Sequence, residues 1–295
     1  MSGATYEVVV VGGGAAGLSA AIVLGRARRR VAVIDAGAPR NAPAAHMHGF
    51  LSRDGMPPAE LLRLGREEAA GYGVDFVADS VASIEPGFSV VLVGGETLRA
   101  RRLLIATGAT DELPDIPGVA DRWGRDFLHC PYCHGWEVRD QPLGVVSTGA
   151  GSVDYALLIR QWSDDVIVFA HACALSDAER DQLSAGGIRV VDGDVRQLVV
   201  EDDRLHGVLL GDGRVVERAA LFIRPNMRPR LTGLLDLLAC EVDDLGFVRV
   251  DAVGHTSVAG VWAAGNVANP RAQVITAAGE GSAAAIAINA DLVSE

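Results

Sequence analysis

The stretch YEVVVVGGGAAGLSAAIVLGRARRRVAVID, residues 6–35, constrains this chain more than any other part of it. Residues 6–11 form a continuous apolar run, the pattern of a parallel strand covered on both faces. Gly12, Gly14 and Gly17 then spell G-x-G-x-x-G, an apolar helical stretch follows over 18–24, and Asp35 stands at the tip of the next strand, 18 residues after Gly17. Each piece has a job. Gly12 permits the tight turn, Gly14 lets the backbone approach a pyrophosphate, and Gly17 allows close packing of helix on strand. The start of the helix offers N–H donors to the anion, and Asp35 can accept hydrogen bonds from a ribose diol. The glycines alone are a weak signal, open to a purely structural reading. Strand, helix and acid together predict dinucleotide binding.

The remaining composition suits that prediction. A chain of 295 residues holds one large or two ordinary domains, and 35 glycines in a sequence that is 49% hydrophobic fit an α/β protein with many strand–helix turns. A net charge of −12 argues against a nucleic-acid partner. Arg26, Arg28, Arg29 and Arg30 read as the solvated cationic end of a helix. No apolar run of about 18 residues predicts a membrane span. The opening residues lead into a strand without a basic signal-peptide region, so a cytoplasmic location is expected. The cysteines, Cys130, Cys133, Cys173 and Cys240, are too few for a disulfide scaffold at this length. Cys173 and Cys240 stand apart and read as ordinary thiols.

The pair Cys130 and Cys133 lies in FLHCPYCHGWEV, residues 127–138. Its spacing serves three chemistries: thiol–disulfide exchange, zinc ligation and haem attachment. Haem attachment belongs outside the cytosol and wants a helical pocket, whereas a second α/β unit follows here. Zinc wants four ligands; the two cysteines with either His129 or His134 supply three, and no second CxxC exists. No metal site is expected. Exchange needs only two close sulfurs and a redox partner.

Two further segments complete a pattern: 98–118, a strand ending in Ala106, Thr107 and Gly108, and 256–289, a strand, a turn and a small-residue helix. Over residues 6–290 the chain resembles the thioredoxin-reductase-like pyridine nucleotide–disulfide oxidoreductases. The resemblance implies an α/β fold of two Rossmann-like three-layer domains, the second inserted into the first. Residues 1–118 and 244–295 would bind FAD, and 119–243 would form an NAD(P)-binding-like domain carrying the CxxC. It places Gly12, Gly14, Ala15, Ala16 and Gly17 at the FAD pyrophosphate and Asp35 and Ala36 at the adenosine ribose. Arg40, Ala106, Thr107 and Gly108 would line the same site, and Val81 would meet the adenine through its backbone. Gly265 and Asn266 would stand by the pyrophosphate and ribityl chain, although the family has Asp where this chain has Asn266. Gln273 and Val274 would open the last helix toward the isoalloxazine. His46 and His48 fall in a loop laid along the flavin, as flavin neighbours or proton carriers, with two solvated histidines as the plain alternative.

The same resemblance makes Cys133 the flavin-proximal thiol and Cys130 the thiol that exchanges with substrate. A helix expected to start near Cys133 would lower thiolate pKa values. His134 replaces the Asp of thioredoxin reductases and suits a general base, with Glu137 one helical turn beyond Cys133 to orient it. In the second domain Gly149 and Gly151 persist, but Asp154 and Ala156 replace the small residue and the acid of the family pattern. The stretch 169–174 holds no cation except His171. Like charges about 4 Å apart cost a few kcal/mol near a protein surface, so NADPH binding is doubtful.

The expected function is therefore an FAD-dependent dithiol oxidase, resembling the C-x-x-C-H branch that closes disulfides in gliotoxin- and holomycin-type natural products. In that branch the electrons go to oxygen, giving hydrogen peroxide. The alternative is a thioredoxin reductase fed by NADPH or a ferredoxin-like donor, and the non-enzyme reading is a flavin-bound redox sensor. The partner would be a small-molecule dithiol or a thioredoxin-like protein, and the chain would form a homodimer. Leu231, Leu234, Leu235 and Leu238 suit a core or a dimer interface.

Overall fold

The computed structural model describes residues 4–171, 173–230 and 232–295. Ala172, within the stretch 169–174, and Leu231 of the leucine stripe lie outside them. The chain opens as β1 (Thr5–Val11), α1 (Ala15–Arg26) and β2 (Val31–Ile34), followed by α2 (Pro58–Gly71), β3 (Asp75–Val77), β4 (Val81–Glu85), β5 (Ser89–Leu92) and β6 (Thr97–Ile105). Val8, Val9, Val10 and Val33 are wholly buried, which is why these strands are apolar throughout rather than alternating. The strands order as β3-β2-β1-β6, all parallel, with Val8 beside Val31 and Val10 beside Leu104. The antiparallel β4 and β5 continue from the first half of β6.

The chain then runs through β7 (Ala109–Glu112), α3 (Val119–Arg122), β8 (Phe127–Leu128), α4 (Pro131–His134), β9 (Leu143–Val146), α5 (Ser152–Ile159), β10 (Val166–Phe169), α6 (Asp177–Ala185) and β11 (Arg189–Val191). A meander of β12 (Val195–Glu201), β13 (Arg204–Leu210) and β14 (Val215–Glu217) precedes β15 (Ala220–Phe222) and β16 (Asn226–Pro229). A second parallel sheet orders as β11-β10-β9-β15-β8. One face packs on α5 and α6 through Ala156, Ile159 and Leu183, the other on the meander through Leu198 and Val208. The expected capping box opens α6: Ser176 and Glu179 each accept the other's backbone N–H.

The return comprises α7 (Thr232–Leu238), β17 (Val261–Ala263), a 3-10 turn at Gly265–Val267 and α8 (Val274–Ser294). β17 pairs with the second half of β6 and completes the seven-stranded sheet. This is the two-domain, doubly wound α/β fold. Among the described residues, β7 and β16 carry the chain between the two sheets, and they lie side by side as an antiparallel ribbon, Ala109 opposite Pro229. Leu234 and Leu235 of α7 are buried with Val9, Ile34 and Ile84 of the first sheet. That packing places Leu234 and Leu235 in a core, with Leu238 packed against it. Apolar periodicity marks a helix face but not which sheet covers it.

Candidate active site

The glycine turn after β1 shows what each glycine is for. A Cβ on Gly12 would stand 2.2 Å from the Ala106 carbonyl oxygen, and its φ of +111° lies where L side chains are strained. A Cβ on Gly17 would meet the Gly12 carbonyl oxygen at 1.9 Å, so α1 can sit on β1 only with glycine there. Gly14 is different. Nothing lies within 4 Å of its would-be Cβ, which faces the open cleft beside the start of α1. That is a cradle for a ligand, with Ala15 and Ala16 opening the helix.

The cleft measures about 2290 Å³, well beyond the few hundred to about 1,000 Å³ of an ordinary small-ligand pocket. Its walls include Asp35, Ala36 and Val81, Gln273 and Val274, and also Gly151, Asp154 and Arg224. Asp35 is ion-paired with Arg66 of α2, a partner the sequence did not reveal because nothing in α2 sets Arg66 apart from Arg63. Thr107 fixes the floor by donating its hydroxyl to the Arg230 carbonyl at 3.2 Å. Gly108, with φ of +74°, turns the chain into the ribbon. No side chain accepts a capping hydrogen bond at the Gln273 end of α8, and Gln273 and Val274 line the cleft, so the first N–H groups of that helix are left for a ligand there.

Asn266 has its own logic. Its side-chain amide donates to the carbonyls of Asn269, Pro270 and Ala272 at 3.0, 3.4 and 3.0 Å, tying down the loop that delivers α8. A carboxylate has no proton to donate there, which accounts for Asn in place of Asp. Glu280 completes the corner, accepting from the Gly265 N–H at 2.9 Å and the Asn269 amide at 2.7 Å. An extended dinucleotide with a pyrophosphate and a flavin end fits this set: a glycine cradle with open space above Gly14, a ribose-side acid and a second helix start.

Cys130 and Cys133 form a disulfide, with S–S 2.08 Å and Cα–Cα 5.2 Å, and line the same cleft. Here the helix departs from expectation. Pro131 occupies the first helical position, so α4 starts at residue 131, Cys130 is its N-cap, and Cys133 sits near its end. The helix is one turn long and ends at His134, so Glu137 does not lie on the same helix as Cys133. Glu137 instead reaches His48 of the loop, at 3.4 Å from Nε2, while Asp54 approaches Nδ1 at 3.3 Å. Burial and the positive edge of His48 hold the His134 imidazole below the ordinary histidine pKa, with Glu137 opposing. An unprotonated imidazole one residue from Cys133 can take a thiol proton. His46 lines the cleft, exposed.

Arg40 also lines the cleft, but its guanidinium is committed. It holds Asp111 of β7 with two hydrogen bonds of 2.7 and 2.6 Å and donates to His129 Nε2 at 2.8 Å. Neither partner was visible in sequence, because Asp111 and His129 lie 71 and 89 positions away.

In the insert, the glycine turn persists at Gly149 and Gly151. Asp154 is exposed in the first turn of α5, accepting weakly from Gln182 at 3.4 Å. His171 accepts the Val195 N–H on Nδ1 at 3.1 Å, so that lone pair is spent on the backbone. Arg224 was missed: a Cβ on Gly151 would lie 2.3 Å from its guanidinium, which covers the turn from the strand end after β15. Cys173 and Cys240 are unpaired and half-buried, and burial raises the Cys240 thiol pKa. Among the described residues, no cluster of His, Cys, Asp and Glu suits a metal, and no helix is long and apolar enough to cross a membrane.

Two doubly wound units, a dinucleotide cradle and a CxxC in one cleft define a flavin-linked thiol–disulfide oxidoreductase. The chain belongs to the pyridine nucleotide-disulphide oxidoreductase family, matching over residues 6–281, and FAD is its cofactor. It is 32% identical to thioredoxin reductase sirT of Leptosphaeria maculans over 308 residues, covering 96% of this chain and 93% of that one. Among solved structures it superposes on HlmI with a TM-score of 0.96 at 56% identity, covering 99% of this chain and 95% of the other. It superposes on the thioredoxin reductase of Streptococcus pyogenes MGAS5005 with a TM-score of 0.90 at 26% identity over the whole of both chains.

Proposed function

We propose that this enzyme is a dithiol oxidase, closing a disulfide in a small-molecule dithiol through Cys130 and Cys133 with dioxygen as the final acceptor. The observation that carries the reading is one of placement. The Cys130–Cys133 disulfide opens into the flavin cleft, while the insert's nucleotide turn has an exposed Asp154 on its helix and a His171 bound to backbone.

A substrate thiolate attacks Cys130 Sγ, breaking the Cys130–Cys133 bond and leaving Cys133 as thiolate. The second substrate sulfur then attacks the sulfur joined to Cys130, releasing substrate disulfide and reduced Cys130. His134 takes a thiol proton on its imidazole, and the Glu137 carboxylate favours the charge that results. When bound, FAD supplies a two-electron acceptor for the dithiol pair that dioxygen re-oxidises, with hydrogen peroxide as product. The first helical N–H groups of α8 bias that end of the cleft toward negative charge.

A thioredoxin reductase using NADPH is the second reading, and Arg224 favours it, since a guanidinium over Gly151 suits a phosphate. We further propose that α7 belongs to the FAD-binding half and that the chain works as a homodimer. Anaerobic stopped flow separates the two enzyme readings by the flavin absorbance. A reduced dithiol should bleach it rapidly and NADPH should not; in air the dithiol alone should consume oxygen. Cys133→Ser should abolish bleaching by the dithiol. Rapid bleaching by micromolar-range NADPH would replace the oxidase with the reductase.

A further inference from the structure

Among the described residues, β7 and β16, adjacent strands of one ribbon, join the insert to the rest of the chain. Two side-by-side crossings make a hinge, because the body beyond them can turn about the ribbon with few backbone changes. Such a turn would carry Cys130 and Cys133 out of the cleft. Something other than the covalent chain must hold the redox pair in place.

A buried cluster stands at that ribbon and touches both sides of it. Asp111, on β7, is 6% exposed and grips the Arg40 guanidinium, which comes from the loop of the FAD-binding half and is 19% exposed. The same guanidinium donates to Nε2 of His129, the residue before Cys130. His129 is held on two further sides. Trp123 stacks on its ring with centroids 6.0 Å apart, and the Tyr155 hydroxyl donates to its carbonyl. Burial first, and the Arg40 charge second, push the His129 pKa down to about 4, so the ring stays neutral and offers Arg40 a lone pair.

The neighbouring contacts run the same way. A Cβ on Gly124 would lie 3.0 Å from Pro43, so insert and loop are in direct touch. Arg230, just after β16, donates to the Ala38 carbonyl of the same loop and to Thr110 Oγ1 at 3.1 Å. The loop 38–44 is thus clamped from the ribbon and from the insert together.

We infer that Arg40, Asp111 and His129 are positioning residues: a latch across the ribbon that keeps the insert turned so that Cys130–Cys133 faces the flavin end of the cleft. The inference rests on the thiol–disulfide reading of that pair. Removing one charged partner of a buried pair leaves the other uncompensated, so the latch should fail as a unit.

The test compares wild-type, FAD-loaded enzyme with Asp111→Asn, His129→Phe and His129→Gln. The glutamine keeps an acceptor for Arg40, and the phenylalanine keeps the bulk and loses it. In Asp111→Asn and His129→Phe, flavin bleaching by dithiothreitol should slow about tenfold as the competent orientation loses population. The radius of gyration from small-angle scattering should rise, and iodoacetamide should alkylate reduced Cys133 about tenfold faster. His129→Gln should return all three toward wild type. Scattering and alkylation need no turnover, so they stand even if the oxidase reading fails. Wild-type scattering and alkylation in both disrupted variants would overturn the latch, as would slow bleaching explained by lost FAD with an unchanged radius.

Discussion

At the scale of single residues, the site is governed by which atoms can donate a proton and which cannot. Asn266 shows this most directly, since its amide meets three backbone carbonyls. Asn266→Asp should therefore cost about 1–3 kcal/mol in stability and loosen FAD, because it sets an ionised acceptor against acceptors. Thermal unfolding and FAD titration of the variant check this, and wild-type values in both would refute it. His129 supplies a pH prediction. Its folded pKa of about 4 lies below the ordinary value of 6.5, so the unfolded chain binds its proton first as pH falls. Its contribution favours the native state above pH 6.5 and is lost progressively between 6.5 and about 4. The melting temperature should fall across that window in wild type and fall less in His129→Gln. Parallel curves for the two proteins would show that other groups set the pH response. The GxGxxG glycines, Asp35 and both cysteines were legible in sequence, since each belongs to a local pattern. Arg66 and Arg224 were not, because each acts on a residue far away in the chain.

At the scale of elements, α8 illustrates how a glycine can set a helix pair. A Cβ on Gly281 would lie 2.0 Å from the Ala16 carbonyl oxygen, at the crossing of α8 and α1. Both helices present their N-termini to the cleft, so their separation fixes the distance between the pyrophosphate cradle and the flavin end. Gly281→Ala should push them apart, at a cost of about 1–3 kcal/mol. Calorimetry should show a lower melting temperature and FAD should dissociate more readily; an unchanged FAD affinity would mean that the helices yield elsewhere. The small residues of 256–289 announced a tightly packed helix, but not its partner. The helix around Cys133 was misplaced by a few residues because Pro131, with its fixed φ, starts the turn earlier than the cysteine spacing suggested.

At the scale of the whole molecule, the balance between oxidase and reductase turns on what the insert can still bind. Arg224→Ala should leave dithiol-driven bleaching unchanged if the insert takes no nucleotide, and should weaken any NADPH response if it does; stopped flow with each reductant reads both. The sequence by itself determined the α/β class, a dinucleotide cradle and a CxxC pair, because strand–turn–helix units and a CxxC are encoded by residues within one short window. Tertiary structure decided the rest. The hinge ribbon, the sheet that covers α7, the Arg40–Asp111–His129 cluster and the His48–Glu137 contact all join residues tens of positions apart. Such contacts depend on how sheets pack and loops close, and no local pattern of letters records that.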